Sequence, residues 1–227
     1  MSKPYNTHSK IEDKRILEAM NLLLETAKKE YPLSNGYSYS LKKRIRYDEL
    51  HSYYKNLGYA ESYIQHLCIP NPSGRCPSIA PDGGMIVATR NIDGTSIELI
   101  PLLSSEAKHQ ESGQGNAIER FFKNYNAIKS MYEVYDIFPY IGFFQGSGLM
   151  SSFEQNKLVI GMGNGVNRNI DIHDTYFTIN GTNKLIPHKN GIIKIKQEMW
   201  EIGEMYDILI EGFRQSYDYF KNEQKKI

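Results

Sequence analysis

P-D-G-G-M-I-V-A-T-R occupies Pro81 to Arg90, N-I-D-G follows at Asn91 to Gly94, and S-S-E-A-K-H-Q ends at Gln110. Four residues later comes G-N-A-I-E-R, Gly115 to Arg120. Met85 to Ala88 is an apolar run, and Asn91-Ile92-Asp93-Gly94 is a turn signal. Ser96 to Ser104 is a second run rich in β-forming residues. Two such runs around a turn predict a β-hairpin, although the second run does not alternate cleanly.

The chemistry sits at one end of this hairpin. Side chains two apart in a strand share a face. Glu106 and Lys108 should therefore project together, with Ala107 turned away. Asp82 heads the partner strand and should come close to Glu106. Two carboxylates and a lysine suit phosphodiester hydrolysis. Mg²⁺ takes oxygen ligands and keeps several waters, so one or two carboxylates suffice. The metal polarises a phosphate oxygen and lowers the pKa of a bound water. A neighbouring lysine orients that water or balances transition-state charge. An ordinary charged hairpin end is the simpler alternative, since short acidic patterns recur by chance.

The neighbouring segment adds a second signal. Ile118 to about Tyr135 is a predicted helix, with Phe121, Phe122, Tyr125, Ile128 and Tyr132 at spacings of three and four. Gly115 gives a permissive backbone just ahead of it. Asn116, Glu119 and Arg120 would lie in the first turn. Asn pairs with an adenine edge, Arg donates to purine N7, and Glu accepts from an exocyclic amine. A helix with a polar first turn is the alternative.

These motifs resemble the EcoRI restriction endonuclease family. PDGG (Pro81–Gly84), EAKHQ (Glu106–Gln110), GNAIER (Gly115–Arg120) and FPY with a following Gly-Ser (Phe138–Tyr140, Gly146-Ser147) occur in the family's order. Weaker counterparts are Val166-Asn167-Arg168 and Trp200. The resemblance implies an α/β chain of the PD-(D/E)xK restriction-endonuclease-like fold, a central mixed β-sheet flanked by helices. It implies a homodimeric Type II enzyme that cuts palindromic double-stranded DNA with Mg²⁺. Asp82, Glu106 and Lys108 fall on the catalytic positions, and Asp82, Glu106 and Ala107 on the metal ligands. Asn116, Glu119 and Arg120 fall on readers of the adenines in a central AATT. Gln110, Gln114, Gly115, Ala117, Lys123 and Arg168 complete the expected DNA-binding set. A cognate DNA methyltransferase is the expected functional partner. Two departures matter. The family has a longer insertion and a Met-Ala-Ala tract before the Gly-Asn, where this chain has only Glu111 to Gln114. The family's second arginine after Arg168 is Asp171 here. The outer base pair is therefore left open.

The 227 residues are expected to form one endonuclease domain, with a catalytic and recognition core at about 80–147. Hydrophobic residues at 40% and charged residues at 23% are ordinary for a soluble globular protein. A net charge of +1 neither announces nor excludes a nucleic-acid partner, because phosphates meet a local cleft. No run suits a membrane span or a signal peptide, so a cytoplasmic protein is expected.

Ser9-Lys10-Ile11-Glu12 fits a capping box. Ile16, Leu17, Met20, Leu23, Leu24 and Ala27 then mark one face of a helix that Pro32 stops. Lys42, Lys43, Arg44 and Arg46 suit either a solvated face or phosphate contact. Asp48 to Leu57 reads as a short helix ended by Gly58. Ala60 to Ala80 reads as a loop holding His66, Cys68, Arg75 and Cys76. Free thiols are the simpler reading there, because zinc wants a fourth ligand. Phe138 to Phe144 suits a buried central strand. Gly161 to Gly165 lacks the context of a nucleotide loop and reads as a turn. Asn180-Gly181 suggests a hairpin turn between Tyr176–Ile179 and Lys184–Ile186. Gln197 to about Asn222 is a predicted amphipathic helix carrying Trp200, Met205, Leu209, Phe213 and Phe220, for the core or a dimer seam. Two alternatives to a restriction enzyme share these residues: a structure-specific or repair nuclease of the same fold, and a non-catalytic DNA-binding protein.

Overall fold

The computed structural model describes residues 7–46, 78–91, 93–94, 97–108, 140–145, 169–172, 177–179, 182–184, 191–195 and 199–224. Among them are two long helices, α1 (Thr7–Glu30) and α2 (Ile202–Gln224). The strands are β1 (Ser38–Lys42), β2 (Ile45–Arg46), β3 (Ser78–Ile79), β4 (Gly84–Asn91), β5 (Ile97–Lys108), β6 (Tyr140–Gln145), β7 (Asn169–Ile172), β8 (Phe177–Ile179), β9 (Thr182–Lys184) and β10 (Gly191–Ile195).

Six strands form one mixed sheet in the order β1-β4-β5-β6-β10-β7. β1, β4 and β5 run antiparallel to their neighbours, β5, β6 and β10 run parallel, and β7 is antiparallel to β10. The predicted hairpin is thus the β4–β5 pair. Asn91 Oδ1 accepts a bond from Gly94 N at 2.5 Å, as a turn of this composition should. Tyr140 to Phe144 of the predicted apolar strand lie in β6, an interior strand between β5 and β10, while Phe138 and Pro139 fall outside the described residues.

Both helices cover the same face of the sheet, α1 over β1, β4 and β5 and α2 over β5 and β6. Ile16, Ala19, Met20, Leu23, Leu24 and Ala27 of α1 are buried at spacings of three and four. They meet Met205, Leu209, Phe213, Tyr217 and Phe220 of α2, with Ile86, Ala88, Ile100, Leu102, Leu103 and Ala107 beneath. The α2 stripe therefore packs into its own chain's core. Leu17 is only half-buried and sits at the margin of the α1 face.

Three boundaries differ from the sequence expectation. α1 starts at Thr7, so Ser9 lies inside the helix rather than capping it. Glu12 is fully buried, and its carboxylate accepts from Trp200 N at 3.2 Å; the distant peptide replaces the local cap. α2 starts at Ile202, beyond Gln197, where Glu204 Oε2 accepts from Glu201 N at 2.9 Å and so caps the first turn. Ser78-Ile79 is not loop but pairs with Ile45-Arg46 in a two-stranded ribbon. The later hairpin pairs Phe177–Ile179 with Thr182–Lys184, so its second strand begins two residues before Lys184.

The unclean alternation of the second run has a physical cause. Gly84, Met85 and Ile86 face Ser105, Ser104 and Leu103, whereas Val87 and Ala88 face Pro101 and Ile100. Leu102 is the extra residue of a β-bulge, where the register shifts between Ile86 and Val87. Before the bulge, Ile100 and Leu102 face the helices; after it, Leu103 and Ala107 do. The side-chain phase of the strand is reversed at that point. Glu106 consequently falls on the face away from α1 and α2.

Candidate active site

Pro81 to Gly84 form a tight turn closed by Gly84 N donating to Pro81 O at 3.0 Å. Gly84 has φ +77°, a conformation that glycine adopts without strain. Gly83 meets a different constraint. A Cβ there would stand 2.0 Å from Ser105 Oγ and 2.9 Å from Ile16 Cγ1. The tandem glycines thus serve two purposes, one conformational and one of close approach.

This turn is joined to β5 by two bonds. Gly83 N donates to Ser105 O at 3.1 Å, and Asp82 N donates to Glu106 Oε2 at 3.0 Å. Asp82 is half-buried, whereas Glu106 is only 5% exposed. The main chain of one acidic residue therefore orients the carboxylate of the other. Asp82 thus approaches Glu106 through its main chain.

Ala107 is fully buried in the core beneath α1 and α2, turned away from Glu106 as strand alternation requires. Only its main-chain carbonyl is available as a ligand. Lys108 is the last residue of β5, and its Cα partner is Gln145. Among the described residues, no group of three or more His, Cys, Asp and Glu gathers as a metal cluster. Two carboxylates with water are nevertheless a fitting donor set for a hard divalent cation.

The close packing of Gly83 on Ser105 is a feature that the motifs PDGG and S-S-E-A-K-H-Q did not by themselves point to. Ser105 Oγ is buried without a hydrogen-bond partner against the Gly83 main chain. The doubled glycine was the available signal for such close packing. Gln110, Gln114, Gly115, Asn116, Ala117, Glu119, Arg120, Lys123 and Arg168 lie outside the described residues, as does the predicted Ile118–Tyr135 helix. So do Asp48 to Leu57, His66, Cys68, Arg75, Cys76 and Gly161 to Gly165. No described helix is long and apolar enough to cross a membrane.

Comparison with known families gives a match to the family described as restriction endonuclease EcoRI, over residues 1–157. It spans α1 and β1 through β6, including both Asp82 and Glu106. It also takes in the N-terminal part, ahead of the Pro81–Gly84 motif. It stops before Arg168 and Trp200, the weaker counterparts. No curated protein matches the chain.

Proposed function

The chain belongs to the EcoRI restriction endonuclease family, a Type II site-specific hydrolase acting on DNA, and on that premise we propose how it cuts and where. The catalytic group is Asp82, Glu106 and Lys108. One observation supports this assignment: the Asp82 main-chain N–H donates to Glu106 Oε2, which brings the two acidic residues together at one sheet end. The period-two alternation of a strand supports Lys108, two positions after Glu106, as the third member.

Asp82, Glu106 and the Ala107 carbonyl would hold Mg²⁺. When bound, the ion supplies Lewis acidity toward a phosphate oxygen and acidifies water. The protein's own part is orientation and charge. The turn fixes Asp82, the turn's N–H fixes Glu106, and Lys108 holds the attacking water or offsets negative charge on the phosphate. Hydrolysis breaks the phosphorus–O3′ bond, adds the water oxygen to phosphorus and leaves a 5′-phosphate.

The proposed site is palindromic and contains AATT, cut before the first A to leave 5′ overhangs. Asn116, Glu119 and Arg120 support the inner bases, since Asn and Arg pair well with purine edges. Gln110, Gln114, Gly115, Ala117, Lys123 and Arg168 complete the proposed contacts. Gln114 replaces the family's outer-base tract, which favours AATT alone or purine-AATT-pyrimidine. A palindrome is matched by a two-fold homodimer, each subunit reading one half-site. The proposed fold is a single PD-(D/E)xK domain, and the proposed partner in the cell is a methyltransferase that protects the same site.

Plasmid digestion with Mg²⁺, and with EDTA, tests the reading. Glu106→Gln keeps an acceptor for Asp82 N yet should lower the cleavage rate by about 10²-fold or more. Lys108→Ala should do the same while specific binding in Ca²⁺ persists. Full activity in Glu106→Gln would remove the assignment. Sequenced fragment ends lacking AATT would refute the recognition site, and light scattering that finds a monomer on cognate DNA would refute the dimer.

A further inference from the structure

β1 ends on Lys42, and the chain then turns through Lys43 and Arg44. This basic run has no place in the catalytic group. Its position is informative nonetheless. Lys42 is the Cα partner of Met85, and a Cβ on Gly84 would stand 2.9 Å from Lys42 O. The run therefore leaves the sheet at the end where the Pro81–Gly84 turn and Glu106 lie.

Lys42 also shares their face. Tyr39 and Leu41 pack against the core under the helices, so Ser40 and Lys42 point the opposite way. Across the sheet, Lys42 aligns with Met85, and Met85 with Ser104, two residues before Glu106 on the same side. Two strand spacings separate β1 from β5, about 10 Å. That equals about three nucleotide steps at the ~3.4 Å axial rise per strand. Lys42 is half-buried, Lys43 and Arg44 are exposed, and none makes an ion pair with another described residue.

We infer that Lys42, Lys43 and Arg44 form a phosphate-binding strip that holds the DNA backbone a few nucleotides from the bond cut at Glu106. The inference rests on the nuclease reading of that site. Lys43 and Arg44 add charge at the rim, where phosphates on a duplex would meet the sheet end. Lys42 contributes from the sheet face itself. Such contacts set register without reading bases.

The test is equilibrium binding in Ca²⁺ to two duplexes of equal length, one carrying the mapped cleavage site and one lacking it. The variant Lys42→Met/Lys43→Ala/Arg44→Ala keeps the half-buried stem of residue 42. Each lost phosphate contact flattens the slope of log K against log salt by about 0.9. With three contacts gone from each subunit, affinity should fall roughly 40-fold less per bound subunit between 50 and 200 mM salt. Both duplexes should show the same change. Lys14→Ala/Lys29→Ala, on the outer side of α1, should leave the slope unaltered. An unaltered slope in the triple variant, or an equal change per charge in the α1 variant, overturns the strip while leaving the nuclease intact. A wild type that neither binds nor cuts either duplex overturns the nuclease reading and the strip with it.

Discussion

Gly83 is the residue with the least room to vary. Its missing side chain is filled by Ser105 Oγ, with Ile16 behind it. Gly83→Ala should cost about 1–3 kcal/mol by overpacking, read from a denaturant midpoint, and should displace Asp82. Adding Ser105→Ala removes the nearest atom and should restore part of the stability; no restoration would place the strain elsewhere. A second residue sets an alkaline limit. Tyr39 donates to Tyr31 O at 2.7 Å, and burial, with Tyr217 and Tyr31 nearby, pushes its pKa well above the usual tyrosine range. The folded value is raised, so its contribution is complete below the unfolded pKa of about 10 and declines as pH rises above it. Tyr39→Phe should flatten the loss of stability above about pH 10, measured by urea titration across pH. Asp82 and Glu106 could be picked out in the sequence because each lies in a short contiguous motif. Gly83's neighbour could not, since Ser105 and Ile16 approach it from other elements.

At the scale of elements, β5 shows why a pattern misled in part. Its apolar residues at 99, 100, 102 and 103 fit no single period because Leu102 is bulged. Reading straight through from Ile100 would put Glu106 on the helix side, among Ala19, Leu23 and Phe213. The bulge turns it to the other face. Deleting Leu102 should therefore lower cleavage by at least about 10²-fold, because either the carboxylate or the core must face the wrong way. One residue inserted at Asp93-Gly94 should leave cleavage within a few-fold of wild type, since both residues are exposed in a turn. Plasmid nicking with circular dichroism on both variants checks the pair. The helix ends were misread for a related reason. Ser9 and Glu12 have the spacing of a cap, yet Glu12 binds Trp200 N, a partner 188 positions away that no local window contains.

Across the whole molecule, α1 and α2 form one layer on one side of the sheet. Arg15 donates to Trp200 O at 2.8 Å, Tyr217 donates to Pro32 O at 2.8 Å, and Tyr31 meets Phe213 edge-on with centroids 5.4 Å apart. The α/β character and the two amphipathic faces were legible in the sequence. The strand order β1-β4-β5-β6-β10-β7 was not, because it depends on pairings between distant segments. Phe213 is fully buried at the centre of this layer, and Phe213→Ala should cost about 3–5 kcal/mol, enough to threaten a fold of ordinary stability. A calorimetric scan checks it, and a small loss would mean the layer tolerates a void. The pairing of α1 with α2 also sets a clock. During synthesis, α1 and the β4–β5 hairpin emerge long before residues 200–220. At roughly 5–20 residues per second, the apolar side of α1 waits about 10–40 s for its cover. A nascent chain halted before Trp200 should thus be held by chaperones or degraded, and cleavage should begin only once α2 has left the ribosome.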